Sequence, residues 1–167
     1  MKSLFLFLLF TQIISSQNYT QYVNPFIGTG LNGHTYPGAT VPFGMVQLSP
    51  DNGKSGWEYS SGYHYSDSII VGFSHTHLSG TGIGDLYDIQ FMPSTFLKNI
   101  SDDEILKQKF QSKYEHKNEL ASPGYYYVLL KDYNIKTELT ASLRSGLQKH
   151  TFTQPGNEYI QLDLGYS

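Results

Sequence analysis

From Pro123 onward, apolar and polar positions alternate in short, evenly spaced runs. Tyr125 to Leu130, Ile135 to Ala141, Leu147 to Phe152 and Tyr159 to Leu164 each read as a strand, with turns at Asp132 to Asn134, Ser142 to Gly146 and Gln154 to Asn157 between them. Regular spacing with Gly, Pro and Asn punctuation predicts an all-β fold, an antiparallel β-sandwich. Upstream the pattern is less regular. Tyr22 to Ile27 is a short candidate strand, and Val41 to Leu48 a second despite Pro42. Ser68 to Phe73 is a β-branched run expected to be a buried strand, and Leu86 to Met92 is another, expected to stop at Pro93. One helix is predicted, over Ser101 to Lys117. Ser101 and Glu104 form a capping box there, and Leu106, Phe110 and Tyr114 recur every fourth residue. The thin apolar stripe and high charge density of this segment leave an extended, solvated connection open as well.

The 167 residues are enough for one domain with a real core, and a net charge of −3 gives nucleic acid no basic surface to hold. Charged residues are scarce and Tyr is the dominant aromatic, with 14 copies. That balance suits neutral polar ligands such as sugars, which bind by stacking and hydrogen bonding. Residues 1–16 place Lys2 before an apolar run from Leu4 to Phe10 and a small-residue exit at Ser15 and Ser16, the pattern of a signal peptide. The run is too short to span a bilayer, so no membrane span is expected. With no Cys for a lipid anchor or a disulfide, the expectation is a periplasmic or secreted domain over residues 17–167.

Candidate chemistry concentrates between Val23 and Asp88, where Gly recurs beside His, Asp, Tyr and the single Trp. Trp57, in a Gly-flanked polar loop, reads as a binding platform, with capping of the sandwich end as the plainer alternative. His75 and His77 have the i, i+2 spacing that puts two imidazoles on one face of a strand. A third metal ligand could come from His64, Asp85 or Asp88, but hydrogen bonding of the Gly-rich turns is the favoured role. Asp51, Glu58, Asp67, Asp85 and Asp88 are the carboxylates of the block, and glycoside hydrolysis would need two of them across a bond. Each singly reads as a turn-pinning group. Gly80-Thr81-Gly82-Ile83-Gly84 lacks the Lys-Ser/Thr of a phosphate loop.

The stretches VNPFIGTG, GHTYPGATVPFGMVQLSPD, SGYHYSD, FSHTHLSGTG and GDLYDI, with ASPGYYYVLL, ELTAS and YIQLDLGY downstream, closely resemble the N-terminal domain of glycoside hydrolase family 92. The resemblance implies a β-sandwich of the galactose-mutarotase-like supersandwich type, here incomplete. In the longer enzyme an α/α-toroid domain follows it. It also implies calcium-dependent, inverting exo-α-mannosidase chemistry on N-glycan or mannan. The general acid, general base and most calcium ligands would lie in the toroid, so this chain is expected to have no catalytic residue, no metal ligand and no activity alone. Trp57 best matches a sandwich-borne contact to a mannose-containing glycan, with Asp51, His75 and His77 as further substrate-binding candidates. A free-standing mannose-binding module is the alternative, and a metallo-hydrolase built on His75 and His77 ranks last.

Overall fold

The computed structural model describes residues 17–80, 82–96, 101 and 109–166. Its strands are β1 (Ser49–Asp51), β2 (Ile69–Ile70), β3 (Gly72–Ser74), β4 (Gln90–Phe96), β5 (Ser112–Lys113), β6 (Glu119–Ser122), β7 (Tyr125–Leu130), β8 (Ile135–Ala141), β9 (Gly146–Phe152) and β10 (Asn157–Asp163). They form one antiparallel sheet in the order β1-β3-β4-β10, a second in the order β6-β7-β8-β9, and a small β2-β5 ribbon. The fold is thus the all-β sandwich expected from the strand spacing. Among the described residues the only helices are short 3₁₀ turns, none long and apolar enough to cross a membrane. The signal peptide expected over residues 1–16 lies outside the described residues.

The period-two pattern sets the register of the second sheet. Tyr126 faces Leu139, Val128 faces Thr137 and Leu130 faces Ile135 across β7 and β8. All six side chains are fully buried. A slip of one residue would turn the whole set outward, and each large apolar side chain contributes roughly 1.5–3 kcal/mol where it is. Leu48, Ile70, Phe73 and Met92 close the same core from the other sheet and its flanking segments.

A buried carboxylate ties the loops to this sheet. Glu119, its side chain fully enclosed, accepts hydrogen bonds from the hydroxyls of Tyr63 (3.1 Å) and Tyr126 (2.6 Å) and from Nδ1 of His116 (2.7 Å). The other nitrogen of His116 donates to the carbonyl of Tyr65 at 2.6 Å. Both ring nitrogens thus meet oxygen acceptors, and the ring is held from two sides. Burial, with the Glu119 charge adding to it, raises the Tyr63 and Tyr126 hydroxyls far above their ordinary range, and they remain donors.

Local chemistry corrects several expectations. Tyr22 to Ile27 is no strand: Asn18 caps a 3₁₀ turn at Tyr19–Tyr22, and Asn24 Oδ1 takes the N–H of Phe26 at 3.0 Å, diverting the backbone into turns. Val41 to Leu48 bends at Pro42, and Phe43 adopts a left-handed φ of 57°. Sheet pairing there is an isolated bridge between Ala39 and Leu48. Ser68 to Phe73 splits into β2 and β3 at Val71, whose N–H bonds the carbonyl of Asp51. Leu86, Tyr87 and Ile89 have positive φ, so β4 begins later than expected and runs through Pro93. Pro93 is tolerated because β3 pairs with β4 only at Phe73 and Phe91, leaving no ladder bond on that side to lose. The helix expected over Ser101 to Lys117 is contradicted where the chain is described. Phe110, Ser112 and Tyr114 are buried and Gln111 and Lys113 exposed, a period of two, and residues 102–108 lie outside the described set.

Two stability predictions follow from these contacts. Glu119→Ala leaves two buried tyrosine hydroxyls and His116 without their acceptor, and a loss of about 3–5 kcal/mol in urea unfolding is expected; a loss under about 1 kcal/mol contradicts the tie. His150, hydrogen-bonded to Thr137 Oγ1 at 3.0 Å, has its pKa lowered by burial to about 4. The unfolded ring protonates first, near its ordinary pKa of about 6.5. Stability is therefore full above that pH and falls as pH drops toward 4. The urea midpoint should decline across this window in the wild-type chain, with a shallower decline in His150→Gln.

Candidate functional site

Trp57 opens a short 3₁₀ turn, Trp57–Tyr59, that starts after Gly56 at φ 118°, a backbone angle most other residues avoid. Its ring is 56% exposed and forms one wall of a cleft of about 480 Å³. Lys54, Tyr59, Ile83, Tyr87 and Tyr166 line the cleft with it, between glycine-rich walls. From behind, the buried His34 meets the indole edge-on at 4.8 Å, and Nδ1 of His34 bonds Ser60 Oγ at 2.9 Å. The His34 carbonyl accepts the N–H of Gly80 at 2.7 Å, which joins the Trp57 turn to the neighbouring glycine-rich segment.

Asp51 lies under this surface with no exposure. Its Oδ1 accepts from His77 Nε2 at 2.8 Å and from Ser74 Oγ at 3.0 Å, and its Oδ2 from Gln90 Nε2 at 2.9 Å. The second nitrogen of His77 donates to the carbonyl of Gln47 at 2.8 Å. Both ring nitrogens thus face acceptors, which fixes the imidazole between Asp51 and the Gln47 backbone. Ser74, His77 and Asp51 have the composition of a nucleophilic triad but not its wiring. Ser74 donates to the carboxylate itself, both acid and hydroxyl meet the same ring nitrogen, and Ser74 is fully buried. The cluster is a scaffold.

The scaffold reaches the cleft through tyrosines. Tyr87 packs edge-on against His77 at 5.7 Å, and its hydroxyl donates to the carbonyls of Ser60 (2.8 Å) and Tyr59 (3.2 Å), within the turn that presents Trp57. Burial, reinforced by the Asp51 charge, pushes the Tyr87 hydroxyl up to about 12, so it stays a donor at neutral pH. Tyr166, raised by the same causes, packs against Tyr87 at 6.0 Å. Gly62, at φ 80°, has no room for a side chain: a Cβ would stand 2.9 Å from both Asp51 Oδ1 and Tyr87 Cε1.

Of the four residues singled out from the sequence, Trp57 lines the cleft. Asp51 and His77 lie together beneath it, too buried to touch a ligand directly. His75 lies elsewhere: β3 ends at Ser74, so the two histidines do not share an extended face. His75 Nδ1 bonds the carbonyl of Ile89 at 3.0 Å, and its ring lines a separate cleft with Phe91 and His150. Sequence reasoning missed Tyr59, Tyr87, Tyr166 and Gln90. The abundance of Tyr was the available signal, but tyrosines are spread along the whole chain and nothing local marks these.

Among the described residues no group of three or more His, Asp or Glu side chains is placed to share a metal ion, and both oxygens of Asp51 are engaged within the protein.

The sequence profile of the glycosyl hydrolase family 92 N-terminal domain matches residues 22–167. An uncharacterized secreted glycosidase of Arthroderma benhamiae is 32% identical over 138 residues, 79% of this chain and 17% of that protein. A family GH92 α-mannosidase of Bacteroides thetaiotaomicron, solved with mannoimidazole, superposes with a TM-score of 0.78 at 45% identity over 88% of this chain. An inverting GH92 mannosidase of the same organism gives 0.66 at 27% identity over 89%. The chain spans about a fifth of each of these solved chains. With the profile covering nearly all of the described sandwich, the chain belongs to glycoside hydrolase family 92, as its N-terminal domain.

Proposed function

We propose that this chain is the glycan-binding N-terminal domain of a secreted α-mannosidase acting on mannosides of N-glycans or mannan, and that it is not catalytic alone. The observation that carries the reading is the Trp57 cleft: a half-exposed indole among tyrosines on the domain of a mannosidase family. A pyranose has an apolar C–H face and a rim of hydroxyls, and such a ring matches an aromatic wall bordered by Lys54 and tyrosine hydroxyls. The residues lining the cleft include no Asp or Glu. Glycoside hydrolysis needs one carboxyl to protonate the leaving oxygen and another to activate water, so these lining residues can hold a sugar but supply neither proton transfer. In this reading the acid, the base and any calcium ligands come from a partner catalytic domain, which the relatives' roughly fivefold greater length could accommodate. Secretion is supported by the secreted relative and by the leader pattern of residues 1–16.

Calorimetric titration of the purified chain with α-mannobiose tests the binding role. The expected result is saturable binding that weakens at least tenfold, about 1.4 kcal/mol, in Trp57→Ala. A folded wild-type chain that releases no heat, or a Trp57→Ala variant that binds unchanged, contradicts it.

A further inference from the structure

We infer that Tyr65 is the platform of a second sugar-binding site, separate from the Trp57 cleft; the choice of ligand rests on the glycan-binding reading above. Tyr65 is 43% exposed, yet its position is fixed from three directions. Its ring lies flat on the imidazole of His116, with centroids 3.9 Å apart and planes 3° from parallel. Its N–H donates to the carbonyl of Thr29 at 2.8 Å, and its own carbonyl accepts from His116 Nε2. His116 in turn is anchored on the buried Glu119, so the ring beneath Tyr65 cannot turn without breaking two hydrogen bonds.

An aromatic ring held this firmly has given up its rotamer freedom before any ligand arrives, which lowers the entropic cost of stacking on it. Tyr65 borders a cleft of about 330 Å³, lined also by Asn24, Phe26, Ile27, Thr29 and Gly30. The volume is at the small end of ligand sites and suits one ring rather than a protein segment. No charged side chain lines it, which selects a neutral ligand. Phe26 meets Tyr65 edge-on at 5.8 Å and adds an apolar wall. Asn24, which also lines the cleft, spends its side-chain oxygen on the N–H of Phe26, and its amide N–H₂ is a donor suited to a sugar hydroxyl. An apolar wall, a fixed aromatic ring and the polar groups of Asn24 and Tyr65 match one face and the hydroxyl rim of a neutral hexopyranose. The two clefts share no lining residue.

The test is a ¹H–¹⁵N NMR titration of the full chain with α-mannobiose. Saturable shifts are expected at the amides of Thr29, Gly30 and Tyr65, independent of those around Trp57. They should persist in Trp57→Ala and weaken at least tenfold in Tyr65→Leu. Asn24→Ala keeps the stacked ring and should weaken the same response three- to tenfold, which keeps the test decisive if Tyr65→Leu fails to fold. Shifts confined to the Trp57 region overturn the second site while leaving the first. Shifts at Thr29 and Gly30 that survive both Tyr65→Leu and Asn24→Ala also overturn it, and a folded chain showing no shifts overturns both sites.

Discussion

Both carboxylate oxygens of Asp51 are engaged inside the protein, by the ring of His77, the hydroxyl of Ser74 and the amide of Gln90, and the surface above depends on that arrangement. Ser74 ends β3 and Gln90 begins β4, while Asp51 ends β1, so one side chain gathers the ends of three neighbouring strands. A buried polar cluster of this kind contributes little net stability, because taking its groups out of water costs about as much as their mutual hydrogen bonds return. What it provides is a single geometry, since any slip of the strands would leave buried polar atoms unpaired. Tyr87 then carries that geometry to the turn holding Trp57.

Glu119 does the same work at the other end of the loop. Its three donors come from the glycine-rich stretch (Tyr63), the 3₁₀ turn before β6 (His116) and β7 (Tyr126), and through His116 it fixes Tyr65 as Asp51, through Tyr87, fixes the Trp57 turn. The two exposed aromatic rings thus stand on two buried carboxylates. A glycine-rich segment with little regular secondary structure can present side chains firmly only if its backbone is tied down in this way. Gly62 marks how closely the ties are packed, its Cα lying where a methyl group would strike both Asp51 and Tyr87.

How much of this was legible in the sequence depends on how local its cause is. The strands β7 to β10 were readable because alternation and turn residues act over a few positions, and their bounds match to within two residues. The misread segments failed where a side chain competes with the ladder or where one spacing fits two periods. Asn18 and Asn24 cap turns in place of a strand, and Phe110 and Tyr114, four apart, satisfy a period of two as well as a helix. In the candidate site, Trp57 was legible from its glycine-flanked loop. The pairing of Asp51 with His77 spans 26 residues and that of Tyr63 with Glu119 spans 56, distances over which no sequence pattern reports. Asp51 and His77 were singled out as substrate-binding candidates, and their burial places them beneath the cleft instead of on it.

The dependence of the Trp57 surface on Asp51 can be measured directly, because Trp57 is the only tryptophan in the chain and its fluorescence reports that one site. Replacing Asp51 by Asn removes the charge and turns one of its two acceptor oxygens into an amide donor, set against either Gln90 or the pair His77 and Ser74, without changing the side chain's size. With far-UV circular dichroism confirming that the β-sandwich is retained, the account predicts a shifted Trp57 emission maximum and a changed rate of acrylamide quenching. A folded Asp51→Asn chain whose Trp57 emission and quenching match the wild type would contradict it.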